Sequence, residues 1–351
     1  MARVTALGVG MLRFRANRGK TVYLHAGMPR TATTALQTLL AANPSVLRDA
    51  GFVYPDRWRD SEALAHHALV RDVLSGRQRR FLEAEFLRFL ETERAEVIVS
   101  SEAAIYGFGG QRRTLLKFLG EMKRRRRTRF VFALRRVDEY CESVYCQEIR
   151  STDLTLTPAE YVRYTTERVP AWFETLQLVQ DTLGPESVHL VKFERAQHFF
   201  EAMLDALGLT AGRYAGPRVP PVVNETFSLK GQVALVHHRR LSQELGFDVR
   251  RYHLWAAVQG RHLLFAEDRE RYPVISHELA THAHQTALEV AGRLGFRPYL
   301  DFFARELPEP RGEPVSLEFG LLTEDDKATI RSTLCELVRI NGLDNDPRYR
   351  E

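Results

Sequence analysis

The chain has 351 residues, 44% hydrophobic and 27% charged, with a mean hydropathy of −0.30: it can bury a sizeable core, and the composition excludes extensive disorder. Lysines and arginines number 50 against 45 acids, a net +5 with an isoelectric point near 9.1, which favours anionic partners. Arg13, Arg15 and Arg18 interrupt the apolar letters of residues 1–20, leaving no signal-peptide core or membrane span, and Cys141, Cys146 and Cys335 are odd in number and lack metal-ligand spacing. A disulfide framework and a zinc site are therefore not expected, and a reducing, cytoplasmic setting is.

After the basic segment 1–20, short β-branched and aromatic runs alternate with helical patterns. Strands are predicted at Thr21 to His25, Val97 to Ser100, Arg129 to Leu134 and Val188 to Phe193, each too short for a helix. Between and after them, helices are predicted at Ala35 to Ala42, Arg79 to Glu93, Thr114 to Arg127, Val137 to Ile149, Pro158 to Leu183 and Ala196 to Leu207. The alternation predicts an α/β fold, a parallel sheet flanked by helices, in one enlarged domain over 21–306. Prolines and glycines at Gly212 to Pro221 mark a break, and from about residue 222 a helical extension follows, with helices at Ser228 to Leu245 and His277 to Leu294. Residues 307–351 form a linker, proline-rich from Leu307 to Pro314, and a last helix from Thr323 to Ile340.

The run Lys123-Arg124-Arg125-Arg126-Arg127 concentrates positive charge at a helix C-terminus, where cations complement the dipole. Peripheral contact of 123–127 with an anionic membrane surface or an acidic glycan is the functional alternative; nucleic acid is not expected, because no aromatic-basic interleaving accompanies the run.

Val22 to His25 runs through Ala26-Gly27-Met28-Pro29-Arg30-Thr31-Ala32-Thr33-Thr34 into the helical Ala35-Leu36-Gln37. A strand, a tight loop and a helix N-terminus aim backbone N–H groups and a positive dipole end at one point, and the threonine hydroxyls add donors. The loop does not satisfy the nucleotide-triphosphatase pattern, which needs glycine at Ala32 and lysine at Thr33. Further on, Arg135 and Arg136 end the third long strand, and Ser143 follows Arg135 by eight residues. Two helical turns carry its hydroxyl to the side of the strand end, where it and an arginine fork could grip one phosphate.

The segment His25 to Gln37, followed by Gly51-Phe52-Val53-Tyr54-Pro55, resembles the bacterial and carbohydrate-type sulfotransferases that use 3'-phosphoadenosine 5'-phosphosulfate (PAPS). Their pattern is H-x-G-x-x-K-T-G-T-T-x-L-Q with a downstream G-x-x-Y-P. Arg30 stands at their catalytic lysine and Ala32 at their loop glycine. The resemblance covers Thr21 to Leu209 and implies a P-loop-like fold, with Pro29, Arg30, Thr31, Ala32, Thr33 and Thr34 cradling the donor. It also implies Arg135 and Ser143 on the 3'-phosphate, with Arg136 as the alternative arginine, and no metal.

Glu102, in a Ser100-Ser101-Glu102 sequence like that of many family members, is the candidate base at a strand's carboxyl end, where ligands gather in open α/β sheets. His66 and His67, in the long insertion between the first two predicted strands, are candidates for the acceptor pocket or for general-base work. The acceptor implied is a hydroxyl or amine of a saccharide, glycolipid or small metabolite. A non-catalytic anion-binding protein on the same fold and an atypical P-loop kinase are the alternatives.

Overall fold

The computed structural model describes residues 19–60, 64–75, 81–151, 154, 156–194, 197–218, 274–308, 323–329 and 331–332. The helix expected at Ser228 to Leu245, Cys335 and most of 307–351 lie outside them.

In chain order the elements are β1 (Thr21–Gly27), α1 (Thr33–Ala42), α2 (Pro44–Asp49), β2 (Phe52–Val53), α3 (His67–Leu74), α4 (Phe81–Thr92) and β3 (Glu96–Ser100). A 3-10 helix at Glu102–Phe108 leads to α5 (Arg112–Arg125), β4 (Arg127–Leu134), α6 (Val137–Ser151), α7 (Pro158–Thr166), α8 (Val169–Leu183), β5 (Val188–Lys192) and α9 (Gln197–Ala206). Beyond residue 273 come α10 (His277–Leu294) and α11 (Arg297–Phe303). The predicted helix from Pro158 to Leu183 is two helices. Pro170, in the first turn of α8, has no N–H for the carbonyl four residues back, so the α7 ladder cannot continue through it.

The strands form one five-stranded sheet of order β2-β3-β1-β4-β5, parallel throughout. This is the expected α/β architecture, with helices on both faces. Every residue of β1 is buried, which explains why its sequence lacks the alternation of a half-exposed strand. Tyr23, Ile98, Val131 and Val191 pack with Leu36, Leu39 and Leu40 of α1 and Phe199 and Met203 of α9. The other face carries Phe132, stacked on Phe108 at 5.4 Å between ring centres, and Thr175 of α8 donates to the Phe108 carbonyl at 3.1 Å.

The chain divides into two compact units: 1–136, 167–223 and 286–306 in the first, 137–166, 224–285 and 307–351 in the second. The first holds the sheet. Within it, Phe173 stacks on Phe296 at 4.8 Å and meets Tyr299 at 4.9 Å, anchoring α11. In the second, the Tyr145 and Tyr161 rings join α6 to α7 at 5.2 Å, and the Val274 N–H donates to Glu142 at 3.1 Å.

The basic run acts largely inside the first unit. Arg126 is 1% exposed, and its guanidinium donates to the carbonyls of Leu90 at 2.5 Å, Ala95 at 2.7 Å and Glu93. These acceptors lie in the last turn of α4 and just past its end, so the residue that closes α5 also caps α4. Lys123 does the same for α8 through the Thr182 carbonyl at 2.8 Å. Arg125 pairs with Glu91 at 3.0 Å and Glu121 at 2.7 Å, and Arg124 also pairs with Glu121. Among the described residues no helix is long and apolar enough to cross a membrane.

Candidate functional site

The loop between β1 and α1 is pinned to the end of β4. The Met28 N–H donates to the Ala133 carbonyl at 3.2 Å, the Arg135 N–H points at the Met28 sulfur at 3.4 Å, and the Arg135 guanidinium donates to the Arg30 carbonyl at 2.8 Å. Thr31, 1% exposed, closes the turn with a 2.7 Å bond to the Met28 carbonyl. Gly27 fits a tight spot: a Cβ there would lie 3.0 Å from the Thr31 hydroxyl, closer than side chains normally pack. Arg30 and Ala32 have φ of 66° and 55°, a left-handed conformation that costs roughly 1–2 kcal/mol for a residue with a Cβ. Ala32 also stands at the N-cap of α1 without a side-chain bond, and the first amides of that helix have no intrahelical acceptor. A strained turn that ends at open amides is a place for an anion.

The end of β3 is held from both sides by its two serines. Ser100 Oγ accepts from Gln37 Nε2 at 3.0 Å and is hydrogen-bonded to His25 Nδ1 at 2.8 Å. Burial pushes His25 down to about 4, so it is neutral near pH 7. The Ser101 N–H donates to the His25 carbonyl at 2.9 Å, while Ser101 Oγ accepts from the Ala103 N–H at 3.2 Å, capping the 3-10 helix. The same oxygen lies 2.9 Å from His67 Nδ1.

Glu102 follows directly. Burial drives its carboxyl up to about 7 against the opposing pull of Arg30. A carboxyl poised near neutrality beside a loop arginine can accept a proton at working pH, which an ordinary glutamate, already ionised and weakly basic, does poorly.

No protein-family model matches this sequence, and neither does any curated protein. Solved structures similar to it include two sulfotransferases. One is a sulfotransferase from Alicyclobacillus acidocaldarius, with 17% identity, a TM-score of 0.36, and 68% of this chain and 95% of that one covered. The other is the sulfotransferase domain from the Synechococcus PCC 7002 olefin synthase, with 14% identity, a TM-score of 0.38, and 83% and 97% covered. Overlap at this level leaves the function to the residues of the site.

Of the residues singled out in the sequence, Pro29 to Thr34 form the loop and the first turn of α1, Glu102 begins the adjoining 3-10 helix, and Arg135 contacts the loop backbone. Ser143 lies in the second turn of α6, in the second unit. His66 is fully buried. Its Nδ1 accepts the Ser100 N–H at 3.3 Å and its Nε2 donates to the Pro55 carbonyl at 2.9 Å, so both ring nitrogens are committed to backbone. Burial holds it at about 4. His67 is half-buried and bonded to Ser101, and its pKa is lowered by burial, with Asp60 opposing and Arg71 assisting. Sequence reasoning assigned no role to His25, Gln37 or Ser100, the polar link between the loop and Glu102. The signal was available in part: on adjacent strands, a histidine and a serine at corresponding ends fall on one face.

Proposed function

We propose that the chain is a sulfotransferase that moves a sulfuryl group from PAPS to a hydroxyl or amine of a saccharide, glycolipid or small metabolite. The observation that carries this reading is Glu102, raised to about 7 by burial and fixed at the strand end beside the anion-binding loop. The acceptor oxygen or nitrogen forms the new bond to sulfur and gives its proton to the Glu102 carboxylate. The bond from sulfur to the bridging phosphate oxygen breaks, and adenosine 3',5'-bisphosphate leaves. Arg30 and the first amides of α1 neutralise charge growing on the departing phosphate, an interaction strongest in the transition state. Arg135 holds the 3'-phosphate, a role that the sequence resemblance also assigns to Ser143. His67 borders the acceptor, while His66 shapes that region through its backbone bonds.

The test is donor binding followed by transfer. Titration calorimetry without metal should detect adenosine 3',5'-bisphosphate, weakened by Arg135→Ala and by Ser143→Ala, since a hydrogen bond to a charged group is worth about 1.5–3 kcal/mol. Labelled PAPS offered to acceptor pools should then yield labelled product. Binding without transfer to any pool, with activity gained in Arg30→Lys, would identify a binder on this fold; preference for Mg-ATP would identify a kinase.

A further inference from the structure

Beside the loop, the carboxyl ends of β4 and β5 carry two cations that one acid joins. Lys192, paired in register with Leu134, reaches the Glu306 carboxylate, and Arg136 donates to the other oxygen of that carboxylate at 3.4 Å. The Arg136 side chain is only 9% exposed, that of Lys192 26% and that of Glu306 34%. Lys192 has a second acid, Glu194, at 2.8 Å, and Glu194 also takes His198. Burial disfavours the Lys192 charge, yet Glu194 and Glu306 outweigh it and hold its pKa above the ordinary value. The neighbouring Phe193 links this pair to the loop. Its N–H donates to the Leu134 carbonyl at 2.7 Å, and its ring lies 4.9 Å from the guanidinium of Arg135, which holds the Arg30 carbonyl.

Glu306 arrives from the end of α11. Phe303, 1% exposed, anchors the helix, Lys192 Nζ lies 5.7 Å from its ring, and the Glu306 N–H turns back to the Phe303 carbonyl at 3.0 Å. Leu307 is already 80% exposed. The carboxylate thus sits at the tip of a short surface strap, on cations supplied by the sheet.

We propose that Arg136 and Lys192 form an anion site for a phosphate or sulfate ester group, and that Glu306 fills it from within the chain as a built-in competitor. A carboxylate and a phosphate share the geometry that an arginine fork and an ammonium recognise. Glu194, 2.8 Å from Lys192, is not part of the strap and stays in place when Glu306 leaves. The proposal rests on the donor reading for its main ligand: the pair belongs to the same sheet edge as the loop, and the strap would have to swing away as the nucleotide enters.

The experiment titrates wild type, Glu306→Gln and the double variant Glu306→Gln/Lys192→Met with adenosine 3',5'-bisphosphate, adenosine 5'-monophosphate and inorganic phosphate. If the strap is closed about nine-tenths of the time, Glu306→Gln binds about tenfold tighter, and the double variant loses the gain. A gain confined to the bisphosphate assigns the site to the 3'-phosphate, a gain shared with the monophosphate assigns it to the 5' side, and a gain for inorganic phosphate alone makes it a free-anion site. Bisphosphate bound equally by wild type and Glu306→Gln, or a gain that survives in the double variant, overturns the proposal and leaves the donor reading standing. Phosphate binding enhanced in Glu306→Gln without bisphosphate binding does the reverse, and no binding of any probe defeats both. Hydrogen exchange of the wild type tests the strap independently of any variant: bisphosphate should speed exchange across 303–308, and unchanged exchange there with ligand bound overturns the competitor role.

Discussion

Glu102→Gln keeps the size of the side chain and removes its titration, so it tests the proposed base in two ways. With the carboxyl at about 7, turnover should rise with pH to a midpoint near neutrality and fall about a hundredfold two units below it, because only the ionised fraction takes the proton. Glu102→Gln should lose about 10² to 10⁴ in rate at unchanged donor affinity. Arg30→Met should move the midpoint upward, since Arg30 is what opposes the burial. The second readout needs no acceptor. A folded pKa of about 7 against an ordinary 4.5 means that the fold holds this proton more tightly than the unfolded chain does. That contribution is fully present below 4.5 and is lost as pH rises through 7. At about 1.4 kcal/mol per pH unit, Glu102→Gln should be more stable than wild type by up to about 3 kcal/mol above neutrality, and equally stable in acid. This is an upper figure, because the residue keeps part of its surface in solvent. Urea denaturation of both proteins across the pH range measures it. A stability difference that does not vary with pH, together with an acid limb that persists in Glu102→Gln, would refute the assignment.

Arg126→Met should destabilise by about 3 kcal/mol or more, because three carbonyls at the end of α4 lose their donor in a buried place; Lys123→Ala, at an exposed helix end, should cost under about 1 kcal/mol, and denaturant midpoints compare them. Ala32→Gly should stabilise by up to about 1 kcal/mol by relieving the left-handed backbone, less what the freer unfolded chain takes back; an unchanged or lower denaturant midpoint would mean that the loop is not strained. His25 and His66 are both held at about 4, below the unfolded value, so each contributes stability above about 6.5 that is lost as pH falls to about 4, about 3 kcal/mol apiece. Glu102 works in the opposite direction, so the acid loss should be steeper in Glu102→Gln than in wild type, and urea melts at successive pH values would detect it. Arg30→Lys, which retains the charge, should keep donor affinity and transfer, as binding and transfer assays can check.

The sequence by itself determined the parallel α/β sheet and the strand–loop–helix at its centre. The signals are local: short β-branched runs buried on both faces, helical periodicity between them, and threonines at a helix start. Four strands were legible to within two residues at either end. The two-residue β2 was not, because so short an edge is defined by its partner β3 rather than by its own pattern. The split at Pro170 was legible in principle, since a missing N–H is a property of the residue. What the residues around the site contribute was decided by tertiary structure. Nothing near Arg126 in the chain marks it as the cap of α4, because its three acceptors lie more than 30 residues away. His66 and His67 are neighbours of the same residue type, yet one is committed to backbone on both nitrogens and the other meets Ser101 at a half-open edge. Glu102 is marked in the sequence by its place after a strand, but its raised pKa comes from packing that removes water, and desolvation belongs to the fold. Long-range burial also brings Glu306 to Arg136 and Lys192, since a carboxylate finds its cations through space and sequence spacing carries no record of that meeting.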